Sequence, residues 1–185
     1  MGIEIEAKFR LDDPAGMRCR LDAAGATPAR RVLEHNTYYD DANGSLRRGD
    51  RGLRVRVERA GDGESVAILT YKGPRQPGAL KVRPEHETAV GSPEALAEIL
   101  AGLGLTPVLG FQKRREYFEL DGAEICLDEL PELGWFLEIE APDEQSVGRL
   151  RQRLGLADTP TVTETYIALV ARHLEGTGQT ELAFR

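Results

Sequence analysis

Ile3-Glu4-Ile5-Glu6-Ala7-Lys8-Phe9-Arg10 alternates without a break: Ile3, Ile5, Ala7 and Phe9 fall on one side of an extended chain, and Glu4, Glu6, Lys8 and Arg10 on the other. A period of two predicts a β-strand with one apolar and one charged face. The pattern recurs. Leu53, Val55 and Val57 alternate with Arg54, Arg56 and Glu58 over 52–59, and Lys81, Arg83, Glu85 and Glu87 alternate through 80–90. Further strands are expected over about 30–40, 65–71, 108–120, 123–130 and 135–141, with Gly61-Asp62-Gly63 turning one of them back. Asp12 or Asp13 with Pro14 opens a helix that runs to about Ala24 and stops at Gly25. Ser92-Pro93-Glu94 opens another, with Leu96, Ile99, Leu100 and Leu103 as its apolar stripe. Two more helices are expected over about 143–154 and 163–174. About eight strands, mostly hairpin-linked, and four helices predict an α+β fold, an eight-stranded antiparallel β-barrel with helices packed outside.

The 185 residues carry no repeat, low-complexity tract or linker, and are read as one domain over 1–175 with a tail over 176–185. The longest apolar runs fall far short of the roughly 20 residues that cross a bilayer. The N-terminus is acidic where a secretory signal would be basic, so no membrane partner and a cytoplasmic location are expected. Cys19 and Cys126 form no CxxC pair, which argues against a disulfide framework or a cysteine zinc site. A net charge of −7 argues against a broad nucleic-acid surface, so any polyanion site must be built locally.

Lysine is scarce: Lys8, Lys72, Lys81 and Lys113 are the only four, against twenty arginines, and all four lie on expected strands. The charged faces hold acids at Glu4, Glu6, Glu85, Glu87, Asp128, Glu138 and Glu140, and bases at Lys8, Arg54, Arg56, Lys72, Lys81, Arg83, Lys113 and Arg115. Two architectures share this pattern. In one, the charged faces are the solvated exterior of an open sheet; in the other, the sheet closes and they line its lumen. Alternate strand residues lie about 7 Å apart. Glu4 and Glu6, and again Glu138 and Glu140, can therefore grip a divalent cation with waters between them. Lysines and arginines on several strands suit an anion of about four charges, of which a triphosphate is the natural candidate.

Glu4-Ile5-Glu6-Ala7-Lys8 resembles the ExExK signature of the CYTH superfamily, which joins class IV adenylate cyclases with thiamine triphosphatases and inorganic triphosphatases. The other family segments follow in order. Asn36-Thr37-Tyr38-Tyr39-Asp40 is similar to the (D/N)TYYD segment, and Leu53-Arg54-Val55-Arg56 to LRxR. Thr70-Tyr71-Lys72-Gly73-Pro74 is similar to the lysine strand, and Lys81-Val82-Arg83 with Glu85 and Glu87 to the next. Lys113-Arg114-Arg115, Cys126-Leu127-Asp128-Glu129, Phe136-Leu137-Glu138-Ile139-Glu140 and Thr165-Tyr166 complete the series. The resemblance implies a closed eight-stranded tunnel with a charged lumen. It assigns Glu4, Glu6, Glu138 and Glu140, with Asp128 in addition, to Mg²⁺ or Mn²⁺. It assigns Lys8, Arg54, Arg56, Lys72, Lys81, Arg83, Lys113 and Arg115 to the triphosphate. Arg114 and Glu116 point the other way. Family members often form homodimers.

The reaction implied is that of a class IV adenylate cyclase, ATP to cyclic AMP and pyrophosphate. Two alternatives stand beside it: hydrolysis of the terminal phosphate of tripolyphosphate or thiamine triphosphate, and a polyphosphate- or nucleotide-binding module without catalysis. In the triphosphatase members a lysine–tyrosine pair serves as base, and the matching residues are Lys72 and Tyr38. A lysine crowded by other cations loses its proton more readily. No residue of the sequence identifies an adenine pocket.

Overall fold

The computed structural model describes residues 5–61, 63–74 and 84–185. Glu4, Lys81 and Arg83 lie outside them. The elements in chain order are β1 (Ile5–Leu11), α1 (Pro14–Ala23), β2 (Thr27–Asp41), α2 (Ser45–Arg48), β3 (Gly52–Ala60), β4 (Ser65–Lys72), β5 (Glu85–Val90), α3 (Pro93–Gly102), β6 (Leu105–Leu120), β7 (Ala123–Leu130), β8 (Gly134–Ala141), α4 (Glu144–Arg153), α5 (Tyr166–Leu174) and β9 (Glu181–Leu182). The strands pair in the order β1-β8-β7-β6-β2-β3-β4-β5, with the short β9 parallel on β6. The remaining ladders whose registers are described are antiparallel. The α+β class is as expected. Closure into a barrel is not shown: among the described residues the order ends at β1 and β5, with no ladder joining them. β5 is a six-residue strand with an exposed face pattern, and its free edge finds no partner among those residues.

The chain divides into two compact units, 1–32 with 113–165, and 33–112 with 166–185. In the first unit the register sorts the strands into two faces. Ala7, Ile139, Ile125 and Phe118 form one cross-strand row, and Phe9, Leu137 and Leu127 the next. These pack with Met17 and Leu21 of α1 and with Val147 and Leu150 of α4 into the main core. Burial of one face against two helices explains the strict alternation of β1: a one-residue slip would drive its charged side chains into the apolar layer. Both helices begin at an aspartate cap, the first of them expected from the sequence. Asp13 accepts the Gly16 amide at 2.8 Å, with Pro14 in the first turn. Asp143 accepts the Ser146 amide at 2.7 Å, which holds its carboxyl below the usual range. Asp121 and Gly122, both at positive φ, turn β6 into β7, the conformation that a two-residue Asp-Gly hairpin loop requires.

The second unit has a smaller core of Tyr39, Val55 and Leu100, with Leu53, Leu69, Leu96 and Leu105 packed on it. Here α2 and β9 are elements that the periodicity did not predict. α2 forms because Asp40 collects the amides of Asp41, Leu46 and Arg47 at 2.8, 2.9 and 3.0 Å, folding the stretch after β2 onto one carboxylate. Burial alone would raise the Asp40 carboxyl; the three amide donors win and hold it below its ordinary value. β9 spans two residues and so shows no period at all. It is held by pairing with Gly110 and Phe111 and by a polar contact between His35 Nε2 and Glu181 Oε1 at 3.0 Å. None of the helices among the described residues is long and apolar enough to cross a membrane.

Candidate functional site

The charged face of the first unit is built row by row by the same register. Glu6, Glu140, Glu124 and Glu119 stand opposite one another across β1, β8, β7 and β6. The next row is Lys8, Glu138, Cys126 and Tyr117, and the next Arg10, Phe136, Asp128 and Arg115. Neighbouring rows exchange ion pairs. Lys8 Nζ lies 3.3 Å from Glu6 Oε1 and 3.0 Å from Glu138 Oε1. Arg115 grips Asp128 bidentately, Nε to Oδ1 at 2.7 Å and Nη2 to Oδ2 at 2.6 Å, and also meets Glu138 through Nη2. Lys113 Nζ reaches Asp128 Oδ2 at 3.3 Å. Lys8, Lys113, Arg115, Asp128 and Glu138 are all buried, and Asp128 is fully so.

Ionised groups survive such burial only when paired and hydrogen-bonded. Desolvation would strip the proton from Lys8, but Glu138 and Glu6 more than offset it and raise its pKa. Desolvation likewise opposes the charge of Arg115, and Asp128 and Glu138 overcome it. Glu138 is pushed up by burial and by the nearby Asp128, against the pull of Arg115 and Lys113. Burial also pushes the Cys126 thiol far up, with Arg115 a smaller opposing influence. Because the thiolate is the reactive form, Cys126 is inert while Cys19 is exposed. A thiol-reactive dye is therefore expected to label one cysteine in the native protein and both in denaturant. Equal native rates at the two would contradict this burial.

The second unit carries two further clusters. Arg54, Thr70 and Glu87 share one row across β3, β4 and β5. Thr70 Oγ1 donates to Glu87 Oε1 at 2.6 Å and accepts from Arg54 Nη2 at 3.2 Å. Arg54 Nε is buried with no hydrogen-bond partner among the described residues. One row on, Lys72 pairs with Glu85 at 2.9 Å. The other cluster is centred on Arg56, whose Nε lies 3.2 Å from Asn36 Oδ1 and 3.4 Å from Glu34 Oε2, and whose Nη1 lies 3.4 Å from Glu58 Oε1. Tyr38 stacks on Phe111 with ring centroids 6.2 Å apart. Among the described residues no hydrogen bond joins Tyr38 to Lys72.

Of the residues singled out from sequence, the structure thus brings Glu6, Lys8, Lys113, Arg115, Asp128 and Glu138 into one network and places Glu140 beside Glu6 in register. Arg114 and Glu116 face away from it: Arg114 is exposed on Glu129, and Glu116 takes Arg18 and Arg31. Glu34, Glu58 and Thr70 were not singled out. Their signal was available in the alternation, since Glu34 precedes Asn36 by two residues and Glu58 follows Arg56 by two.

The donors suit a hard divalent ion, being carboxylate oxygens throughout. Glu6 and Glu138 already converge on a single cation position, the ammonium of Lys8. Among the described residues no three Asp, Glu, His or Cys side chains meet as a complete metal-holding group.

The sequence matches the CYTH domain over residues 2–166. It is 27% identical over 184 residues to the adenylate cyclase CyaB of Aeromonas hydrophila, covering 92% of this chain and 90% of that one. It is 30% identical over 138 residues to a Methanocaldococcus jannaschii protein named as a candidate adenylate cyclase, covering 75% and 76%. Among solved structures, the PH1819 protein of Pyrococcus horikoshii superposes with a TM-score of 0.78 at 27% identity, over 92% of this chain and 99% of that one. HpAC1 of Hippeastrum, described as having a dominant triphosphatase activity, shares the fold with a TM-score of 0.70 at 20% identity, over 92% and 96%. The ordered strand segments, the buried ion network and these likenesses agree: the chain belongs to the CYTH domain family.

Proposed function

We propose that the chain is a divalent-metal-dependent enzyme that binds a triphosphate and converts ATP to cyclic AMP and pyrophosphate, in the manner of class IV adenylate cyclases. The observation that carries triphosphate binding is Arg54, a buried arginine with an Nε donor that nothing described satisfies. An unmet buried donor costs on the order of 1–3 kcal/mol, and a phosphate oxygen would satisfy it with a charge-assisted bond. The cyclase outcome is supported by the likeness to the Aeromonas enzyme along 92% of the chain.

Lys8, Lys113 and Arg115 of the first unit are assigned to phosphate oxygens, as are Arg54, Arg56 and Lys72 of the second, together with Lys81 and Arg83, which lie outside the described residues. Glu4, Glu6, Glu138 and Glu140 are assigned to Mg²⁺ or Mn²⁺. Asp128, whose two oxygens take hydrogen bonds from Arg115 and Lys113, is assigned to holding those cations. When bound, the metal supplies charge neutralisation on the phosphate oxygens. The ribose 3′-oxygen bonds the α-phosphorus, the bond from that phosphorus to the bridging oxygen breaks, and pyrophosphate leaves with the electron pair. The hydroxyl proton passes to a base. The fixed cations stabilise the charge that accumulates on the leaving pyrophosphate, at no cost in reorganisation.

A second reading is hydrolysis, with water attacking the terminal phosphorus of tripolyphosphate or thiamine triphosphate and Lys72 with Tyr38 as base. The activity described for the Hippeastrum relative favours keeping it in view. Phosphorus NMR separates the two. Incubation with ATP and Mg²⁺ or Mn²⁺ is expected to yield cyclic AMP and pyrophosphate. Orthophosphate without cyclic AMP, from ATP or tripolyphosphate, would make the protein a triphosphatase, and binding without turnover would make it a binding module.

A further inference from the structure

Glu34 is a carboxylate with no solvent exposure, to which the reaction assigns no part. Its Oε2 accepts from Asn36 Nδ2 at 3.1 Å and lies 3.4 Å from Arg56 Nε. Asn36, itself only 1% exposed, passes the contact on: its Oδ1 accepts from the same Arg56 Nε at 3.2 Å. On the opposite side, Glu58, 6% exposed, meets Arg56 Nη1 at 3.4 Å. The two ends of the guanidinium are therefore held by separate groups. Because the guanidinium is planar, holding Nε and Nη1 fixes the plane and gives its outer edge one direction.

From this geometry we infer that Glu34, directly and through Asn36, is a positioning residue that orients Arg56 for the triphosphate. A surface ion pair would serve no such end, since two solvated side chains spend little time in one geometry. A carboxylate with no access to water is different. It has given up its hydration for these contacts, and the amide between it and the arginine has both of its polar ends engaged. The sequence spacing agrees: Glu34 and Asn36 occupy alternate positions of β2, as Arg56 and Glu58 do of β3, so each pair presents its side chains on one face. Asn36, the first residue of the Asn-Thr-Tyr-Tyr-Asp segment, thereby acquires a physical reason for being an amide: it must accept from an arginine and donate to a carboxylate at once.

The inference rests on the triphosphate-binding reading. Its test is calorimetric titration of the full-length protein with tripolyphosphate, run on the wild type, Arg56→Gln, Glu34→Gln and the double variant. Arg56→Gln is expected to weaken binding about tenfold, and Glu34→Gln by a similar or somewhat smaller factor. The double variant is expected to bind no more weakly than Arg56→Gln alone, because Glu34 acts on the ligand through that arginine. Circular dichroism checks the fold of each variant. Should Glu34→Gln fail to fold, Asn36→Ala, which removes the amide that bridges the carboxylate to Arg56 and accepts from its Nε, carries the same cycle. Losses that multiply in the double variant, or wild-type affinity in Glu34→Gln, would overturn the positioning role. Failure of the wild type to bind tripolyphosphate would instead overturn the reading on which it rests, a distinguishable result.

Discussion

Replacing Asp128 with alanine is expected to destabilise the protein by about 3–5 kcal/mol, the cost of leaving a buried charge without its partner. Asp128 has no exposed surface, and it serves Arg115 through two hydrogen bonds and Lys113 through a third. Removal leaves two buried cations with one fewer acceptor. For a chain of this length that loss lowers Tm by on the order of 10 °C. Glu129→Gln is the control. Its pair with Arg114 is 2.9 Å long but lies at the surface, and such pairs contribute at most about 1 kcal/mol. The contrast tests burial against distance as the source of stability. Thermal unfolding followed by circular dichroism measures both, and a change of only a degree or two in Asp128→Ala would show that the network is held from elsewhere.

Glu6→Gln is expected to do the opposite, sparing the fold while removing turnover. The Glu6 side chain is about half exposed, at 48%, and it pairs with Lys8, which also has Glu138 at 3.0 Å. Lys8 therefore keeps a partner, and the melting temperature should move little. Glutamine retains the shape and loses the negative charge, which a hard divalent ion requires of its ligands. Metal-dependent turnover is expected to fall by roughly 10²-fold or more, the scale of losing a preorganised electrostatic contact. Assays with saturating Mg²⁺ and Mn²⁺ would detect it. Turnover within a few-fold of wild type would remove Glu6 from the metal and leave it as a partner of Lys8.

Much of the fold was legible because strands with one buried face cannot avoid a period of two. β3, β7 and β8 were each read within a residue of their observed ends, and α1 and α3 from their capping residues. α2 was not, since Asp40 organises it through amides up to seven residues away, with no side-chain pattern of its own. Nor was β9, whose only reason to be extended is the edge of β6 on which it lies. Among the candidate site residues, alternation and spacing marked the charged positions but not their partners.

What the sequence determined by itself was chemical: which faces are charged, that carboxylates and cations alternate on them, and that the ordered segments belong to one family. Those features are local, carried by residues two or four apart. What only the tertiary structure decided was pairing. Register across β1, β8, β7 and β6 set Asp128 against Arg115 and Lys113 and brought Glu138 to Lys8, while the second unit joined Glu34, Asn36 and Arg56. Which carboxylate holds which cation depends on distances of about 3 Å between strands far apart in sequence. No periodicity along a single strand encodes that, because the same alternation is compatible with every register that keeps the apolar face buried.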